Sequence, residues 1–242
     1  MRPSLSTMSV VTTLNEASGV WTIDVSHARY DTDLAVELDL AVERIAAAGG
    51  GTAELWIHAV DDQADEVARL AGFEAFRDLW QLRCPLPAEP STIETRAFTM
   101  DDAEAMIGVN NRAFSWHPEQ SGLTLERLEA TMSEGWYNPD GFRIYEPDGE
   151  ILGFCWTKVH ADEDPVLGEI FVIAVDPSAH GQGLGSPMTR AGLDWLAAQG
   201  ITHGMLYVES DNDAANRVYE RIGFVHHRTE RAYRRTIDAS TS

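Results

Sequence analysis

The apolar segment Leu167 to Val175 runs into Asp176-Pro177. Three alternating glycines follow, Gly181, Gly183 and Gly185, and they open an amphipathic stretch that reaches Gln199. The length and apolarity of the first segment predict a buried strand, and Pro177 cannot continue it. The periodicity of the last predicts a helix from Gly185 to Gln199. Its apolar stripe is Leu184, Met188, Ala191, Trp195 and Ala198, and Gly200 stops it. Glycines between a strand and a helix permit positive φ and let a ligand approach the backbone closely. The first N–H groups of the helix lack intrahelical partners, and the helix dipole is positive there. Such a turn can seat a pyrophosphate, but a tight connection without a ligand needs the same glycines. The spacing G-x-G-x-G, deep in the chain, departs from the G-x-G-x-x-G of a dinucleotide fold. It also lacks the G-K-[ST] ending of a P-loop.

Prolines 85, 87 and 90 disfavour helix and central strand. They predict a linker at 87–92 between a first domain, 1–86, and a second, 93–242. In the second domain the pattern predicts short strands at 93–97, 142–145 and 151–159, with a turn at Pro147-Asp148-Gly149 between the last two. Helices are predicted from Asp101-Asp102 to Ala113 and from Thr124 to Ser133. After the glycine turn and its helix come a strand at 205–209 and a helix that Asp211 or Asn212 caps and Gly223 ends. A strand at 225–234 closes the domain.

The first domain repeats the back end of this order: strand 19–25, helix 32–48, strand 52–59, helix 63–71, strand 79–84. Leu55-Trp56-Ile57-His58 parallels Leu206-Tyr207-Val208-Glu209, and Gly72-Phe73 parallels Gly223-Phe224. This reads as an internal duplication whose first copy is truncated at its front. Where the second copy has its glycine turn, the first has Ser26-His27-Ala28-Arg29-Tyr30, which cannot cradle a pyrophosphate as glycines do.

A formal net charge of −21 excludes a nucleic-acid partner, because such affinity rests on cationic neutralisation of phosphates. The charge suits a small-molecule cationic substrate such as an amine, and it also serves solubility. A local set of backbone N–H groups can still hold an anionic cofactor. No apolar run is long enough to span a bilayer, and no signal peptide is apparent. The expected setting is therefore cytoplasmic, with no membrane partner, as a monomer or weak homodimer. Cys84 and Cys155 have neither disulfide-framework nor zinc spacing and read as buried free thiols. No metal site is expected.

The run Val175 to Gly185 resembles the cofactor motif of the GNAT superfamily of N-acetyltransferases, with His180 standing where that motif has Gln or Arg. Asn212, Ala215, Tyr219 and Gly223-Phe224 match the family's last helix, N-x-x-A-x-x-x-Y-x-x-x-G-F. The resemblance covers about 93–235. It implies an α/β (α+β) fold of tandem mixed sheets flanked by helices, with acetyl-CoA as co-substrate. A narrower resemblance, carried by Gly153 to His160, Leu206 to Asn212 and His117 to Gln120, is to a tandem branch of that superfamily. That branch acetylates the cysteinyl amine of cysteinyl-glucosaminyl-inositol in its C-terminal domain. Another amine acceptor (a protein N-terminus, polyamine or aminoglycoside) and a non-catalytic acetyl-CoA-binding module are the alternatives.

The resemblance also implies roles. Ile173, Ala174 and Val175 would pair with the pantetheine arm. His180, Gly181, Gln182, Gly183, Leu184, Gly185 and Ser186 would bind pyrophosphate. Asn212, Asp213, Ala214, Ala215, Asn216 and Arg217 would lie near the cofactor, and Asn212 can equally be a helix cap. Glu169 would be the base that takes the amine proton, since a carboxylate in a partly apolar cleft can act so. Tyr219 would protonate the departing thiolate. Glu119, Lys158, Glu169 and Tyr207 would bind the substrate; Glu119 and Lys158 can equally be solvated charges, and Tyr207 can equally fill a sheet face. The arginines at 228, 231, 234 and 235 read as a solvated basic tail.

Overall fold

A computed structural model describes residues 10–16, 18–25, 32–116 and 120–240. In chain order the elements are β1 (Val11–Asn15), β2 (Val20–Asp24), α1 (Thr32–Ala47), β3 (Gly51–Ile57), α2 (Asp62–Leu70), β4 (Glu74–Pro85), β5 (Arg96–Ala97) and α3 (Ala103–Ala113). They continue with α4 (Leu125–Met132), β6 (Phe142–Tyr145), β7 (Gly153–His160), β8 (Leu167–Val175), α5 (Gly185–Ala198), β9 (His203–Glu209), α6 (Asp213–Ile222) and β10 (Val225–Ile237). Two compact units form: Met1–Trp80 with Glu209–Asp211 and Arg228–Ser242, and Gln81–Val208 with Asn212–His227. Sequence halves and packing units are not the same, because most of β10 belongs to the first unit and the end of β4 to the second.

In the first unit the strand order is β1-β2-β3-β10-β4. The hairpin strand β1 precedes the first strand read from sequence and pairs antiparallel along β2. β2 and β3 run parallel and stay paired along all of β2, from Val20↔Thr52 to Asp24↔Trp56. Leu34, Leu38, Ala41 and Ile45 recur at helical spacing on α1 and are buried with Ile23, Leu55, Ile57, Phe73 and Tyr233. The Asp61 side chain caps α2 by accepting from the Ala64 N–H at 2.8 Å.

The arginines expected in a solvated tail instead lie along β10, where most are paired. Arg231 grips Asp78 with two bonds of 2.6 and 2.7 Å and reaches Asp65 at 2.8 Å. Arg228 pairs with Glu230, and Arg234 with Glu54. Arg235 donates to the Ala71 carbonyl at the end of α2. The carboxylates that hold Arg231 and Arg234 lie far away in sequence, whereas Glu230 stands on the same strand as Arg228.

In the second unit the strand order is β4-β9-β8-β7-β6-β5. On one sheet face Met106 of α3 and Leu128 of α4 pack in one core with Phe154 and Ala174 of the strands. Phe98, Phe142 and Trp156 stack on that face, with ring centroids 4.5 Å apart in each pair. The other face takes α5, whose buried residues are Met188, Thr189, Ala191, Gly192, Leu193 and Leu196. The predicted stripe is therefore rotated: Ala198 is exposed, and Gly192 is at the contact. A Cβ at Gly192 would come within 2.5 Å of Cys155 Sγ and 2.8 Å of Ile170 Cδ1, so glycine brings the helix against the sheet.

Gly192→Ala is expected to lower stability by about 1–3 kcal/mol through overpacking. That loss outweighs the roughly 1 kcal/mol that alanine gains in helix propensity. Denaturant unfolding checks this, and Cys155→Ala in the same chain should recover part of the loss.

Candidate active site

β8 begins as an ordinary sheet strand. It pairs in parallel with β9 through Leu167↔His203, Gly168↔Gly204 and Glu169↔Met205, and the pairing ends there. On its other edge it pairs with β7, with a bulge: Trp156 faces Val172 and Thr157 faces Ile170, which leaves Phe171 as the extra residue. A bulge bends its strand. Here it follows the last residue paired with β9, so β8 from Ile170 to Val175 parts from β9.

The turn after β8 is braced. Asp176 is buried, and its carboxylate accepts from the Ser178 N–H at 2.9 Å and pairs with Arg112 at 2.6 Å. Burial works against its charge, but the Ser178 bonds and the Arg112 guanidinium outweigh it and hold its pKa below the usual range. The His180 ring bonds back to the Val175 carbonyl at 3.1 Å. Gly181 and Gly183 have φ of +80° and +75°, and a Cβ at either would meet nothing within 4 Å. The left-handed backbone, and not crowding, is what requires glycine there. Gly185 starts α5, and Pro187 sits in its first turn, where its missing N–H costs nothing.

Ile173, Val175, Gly185, Thr189, Ala215, Val218 and Tyr219 line one cavity of about 150 Å³. The parted end of β8, the start of α5 and one face of α6 thus meet. Ala174 lies on the opposite face of the strand, in the core, so only its backbone can serve the cleft. Asn212 caps α6, accepting from the Ala215 N–H at 3.2 Å. Asp213, Ala214 and Arg217 are exposed, Asn216 half-buried. Tyr219 is buried, and burial first of all raises its pKa well above the ordinary phenol value, so the hydroxyl keeps its proton.

Glu169 is buried, and its Oε2 lies 2.7 Å from His160 Nε2. Lys158 stands directly across from it on β7. The Lys158 ammonium turns away over the Trp136 and Phe171 rings, 5.0 and 5.8 Å from their centroids. The Tyr207 hydroxyl accepts from Gln81 Nε2 at 2.8 Å. Glu119 lies outside the described residues, as do Ser26 to Tyr30. Sequence reasoning left His160 without a role; strand alternation from Lys158 was the available signal. Among the described residues no cluster of His, Cys, Asp and Glu could hold a metal ion, and no helix is long and apolar enough to cross a membrane.

An unpaired strand edge running into a glycine turn and a helix N-terminus is built to hold an extended ligand that ends in phosphates. The family model for the acetyltransferase (GNAT) family matches residues 109–224. The mycothiol acetyltransferase of Streptomyces coelicolor is 44% identical over 199 residues, covering 78% of this chain and 63% of that protein. The mycothiol acetyltransferase of Rhodococcus erythropolis is 42% identical over 213 residues, covering 80% of this chain and 71% of that protein. The chain belongs to the GNAT acetyltransferase family. It spans less than two thirds of the length of the Streptomyces relatives it matches. Among solved structures, a GCN5-related N-acetyltransferase from Sphaerobacter thermophilus shares the fold with a TM-score of 0.71 at 18% identity, over 96% of this chain and 78% of that one. A tandem GNAT protein from the clavulanic acid biosynthesis pathway shares it with a TM-score of 0.61 at 16% identity, over 92% of this chain and 76% of that one.

Both cysteines are buried, and burial pushes each thiol up to about 12. A raised thiol pKa leaves the neutral form in place at every pH below it, so neither is a nucleophile in the folded chain. A thiol reagent at pH 8 should titrate neither cysteine in the native protein and both after unfolding. Fast native labelling would contradict the packing under α5.

Proposed function

We propose that this chain is an acetyl-CoA-dependent N-acetyltransferase acting on the cysteinyl amine of cysteinyl-glucosaminyl-inositol, the reaction of a mycothiol synthase. The observation that carries the reading is Glu169 at the fork of β8 and β9, ahead of the glycine turn. The similarity to mycothiol acetyltransferases supports the acceptor.

In this reading the backbone of Ile173, Ala174 and Val175 pairs with the pantetheine arm. The N–H groups from His180 to Ser186 take the pyrophosphate. The segment from Asn212 to Arg217 flanks the cofactor. Open space above Gly181 and Gly183 fits a group resting on the backbone. Acetyl-CoA supplies the activated acetyl group. Glu169 takes a proton from the acceptor ammonium, which frees the amine lone pair. Tyr219, kept protonated by burial, gives its proton to the departing thiolate. Glu119, Lys158 and Tyr207 bind the acceptor.

The first copy is degenerate in this account. β2 and β3 stay paired to the end of β2, so no strand edge opens for a pantetheine arm. The duplication itself, with 1–86 as the truncated copy and 93–242 as the catalytic one, rests on the repeated element order.

Glu169→Gln and Tyr219→Phe should each lower turnover on the order of 10²-fold while acetyl-CoA affinity stays within about twofold. Turnover is followed by release of free thiol from CoA. Wild-type rates in both variants would sink the assignment. Calorimetry should count one acetyl-CoA per chain, and two equivalent sites would remove the degenerate-copy reading. The acceptor is tested by a screen of cysteinyl-glucosaminyl-inositol against polyamines, aminoglycosides and peptide N-termini. Preference for any of the others replaces the acceptor and leaves the acetyl transfer standing.

A further inference from the structure

We propose that His160 is a positioning residue for the reaction: its Nε2–H holds one carboxylate oxygen of Glu169 and leaves the other free to take the amine proton. The inference rests on the assignment of Glu169 as base.

The register explains how the pair forms. Lys158 faces Glu169 and His160 faces Leu167, so His160 is the diagonal neighbour of Glu169 on the same sheet face. Two hydrogen-bond donors therefore compete for one carboxylate. Lys158 does not take it, because its ammonium lies over Trp136 and Phe171. Among the described residues no carboxylate is within ion-pair reach of Lys158, whereas His160 Nε2 is 2.7 Å from Glu169 Oε2. The two differ in access to water: the His160 side chain is 23% exposed and that of Glu169 9%.

A buried carboxylate needs a hydrogen-bond donor, and that bond also holds its plane. With Oε2 engaged by His160, Oε1 is the oxygen left clear to face the amine and accept a proton. A bond fixed on one side turns a rotating carboxylate into an aimed one. Because the carboxylate accepts, the imidazole must carry its proton on Nε2. The step balances simply: an N–H bond of the ammonium breaks, an O–H bond forms at Glu169, and His160 keeps its own proton throughout.

The test uses the full-length chain with ¹⁵N-labelled histidine and the acceptor it acetylates best. His160→Leu should lower kcat on the order of 10²-fold with the acetyl-CoA KM within about twofold. His160→Gln carries an N–H at nearly the same place, so it should recover most of the loss. Nitrogen NMR should show the Nε2–H tautomer in the wild type and a changed His160 signal in Glu169→Gln. A His160→Leu variant at wild-type rate, a His160→Gln variant as slow as His160→Leu, or an Nδ1–H tautomer would overturn the proposal. Wild-type rate in Glu169→Gln would instead remove the base assignment, while the tautomer result still reports on the pair.

Discussion

Beyond Glu169 the parallel strands β8 and β9 stop pairing, and the C-terminal unit is arranged around that parting. The bulge at Phe171 bends β8 while its pairing to β7 continues. Backbone groups within a sheet are normally satisfied by the next strand. Here several lose that neighbour at the mouth of a cavity, so the strand edge is available to a ligand that pairs as a strand would. Glu169 is the last residue before the fork, which sets a carboxylate at the place where such a ligand would end.

The surrounding elements hold this geometry in place. Gly192 seats α5 close beneath the strand, and the Arg112–Asp176 pair and the His180–Val175 bond fix the turn that joins them. α6 closes the other side with Val218 and Tyr219. The first unit makes the contrast. It also has a parallel pair with helices α1 and α2, but among the described residues β2 is paired with β3 along its whole length. The two parallel pairs thus differ in where their pairing stops.

Much of this was legible in sequence because it depends on local chemistry. β6 and β8 fall where predicted, at 142–145 and 167–175, because an alternating segment and an apolar one, each bounded by glycine or proline turns, leave little choice. The Asn212 cap and the Gly223 stop of α6 are also local signals. What depended on distant partners was not legible. The buried face of α5 turned on Gly192 meeting Cys155 across the sheet. The arginines of β10 found carboxylates from β3, β4 and α2, and His160 found Glu169 only through the β7–β8 register. The packing units also cross the proline-rich boundary, since the end of β4 belongs to the second unit and most of β10 to the first.

The central claim is that the parted edge of β8 and the glycine turn, and no other strand pair, receive acetyl-CoA. Amide hydrogen exchange with and without acetyl-CoA tests it most directly. Protection should rise at 171–175 and 181–186 and stay unchanged at 20–24 and 52–56. Protection appearing along β2 and β3, or no change at the β8 edge under saturating acetyl-CoA, would contradict the account.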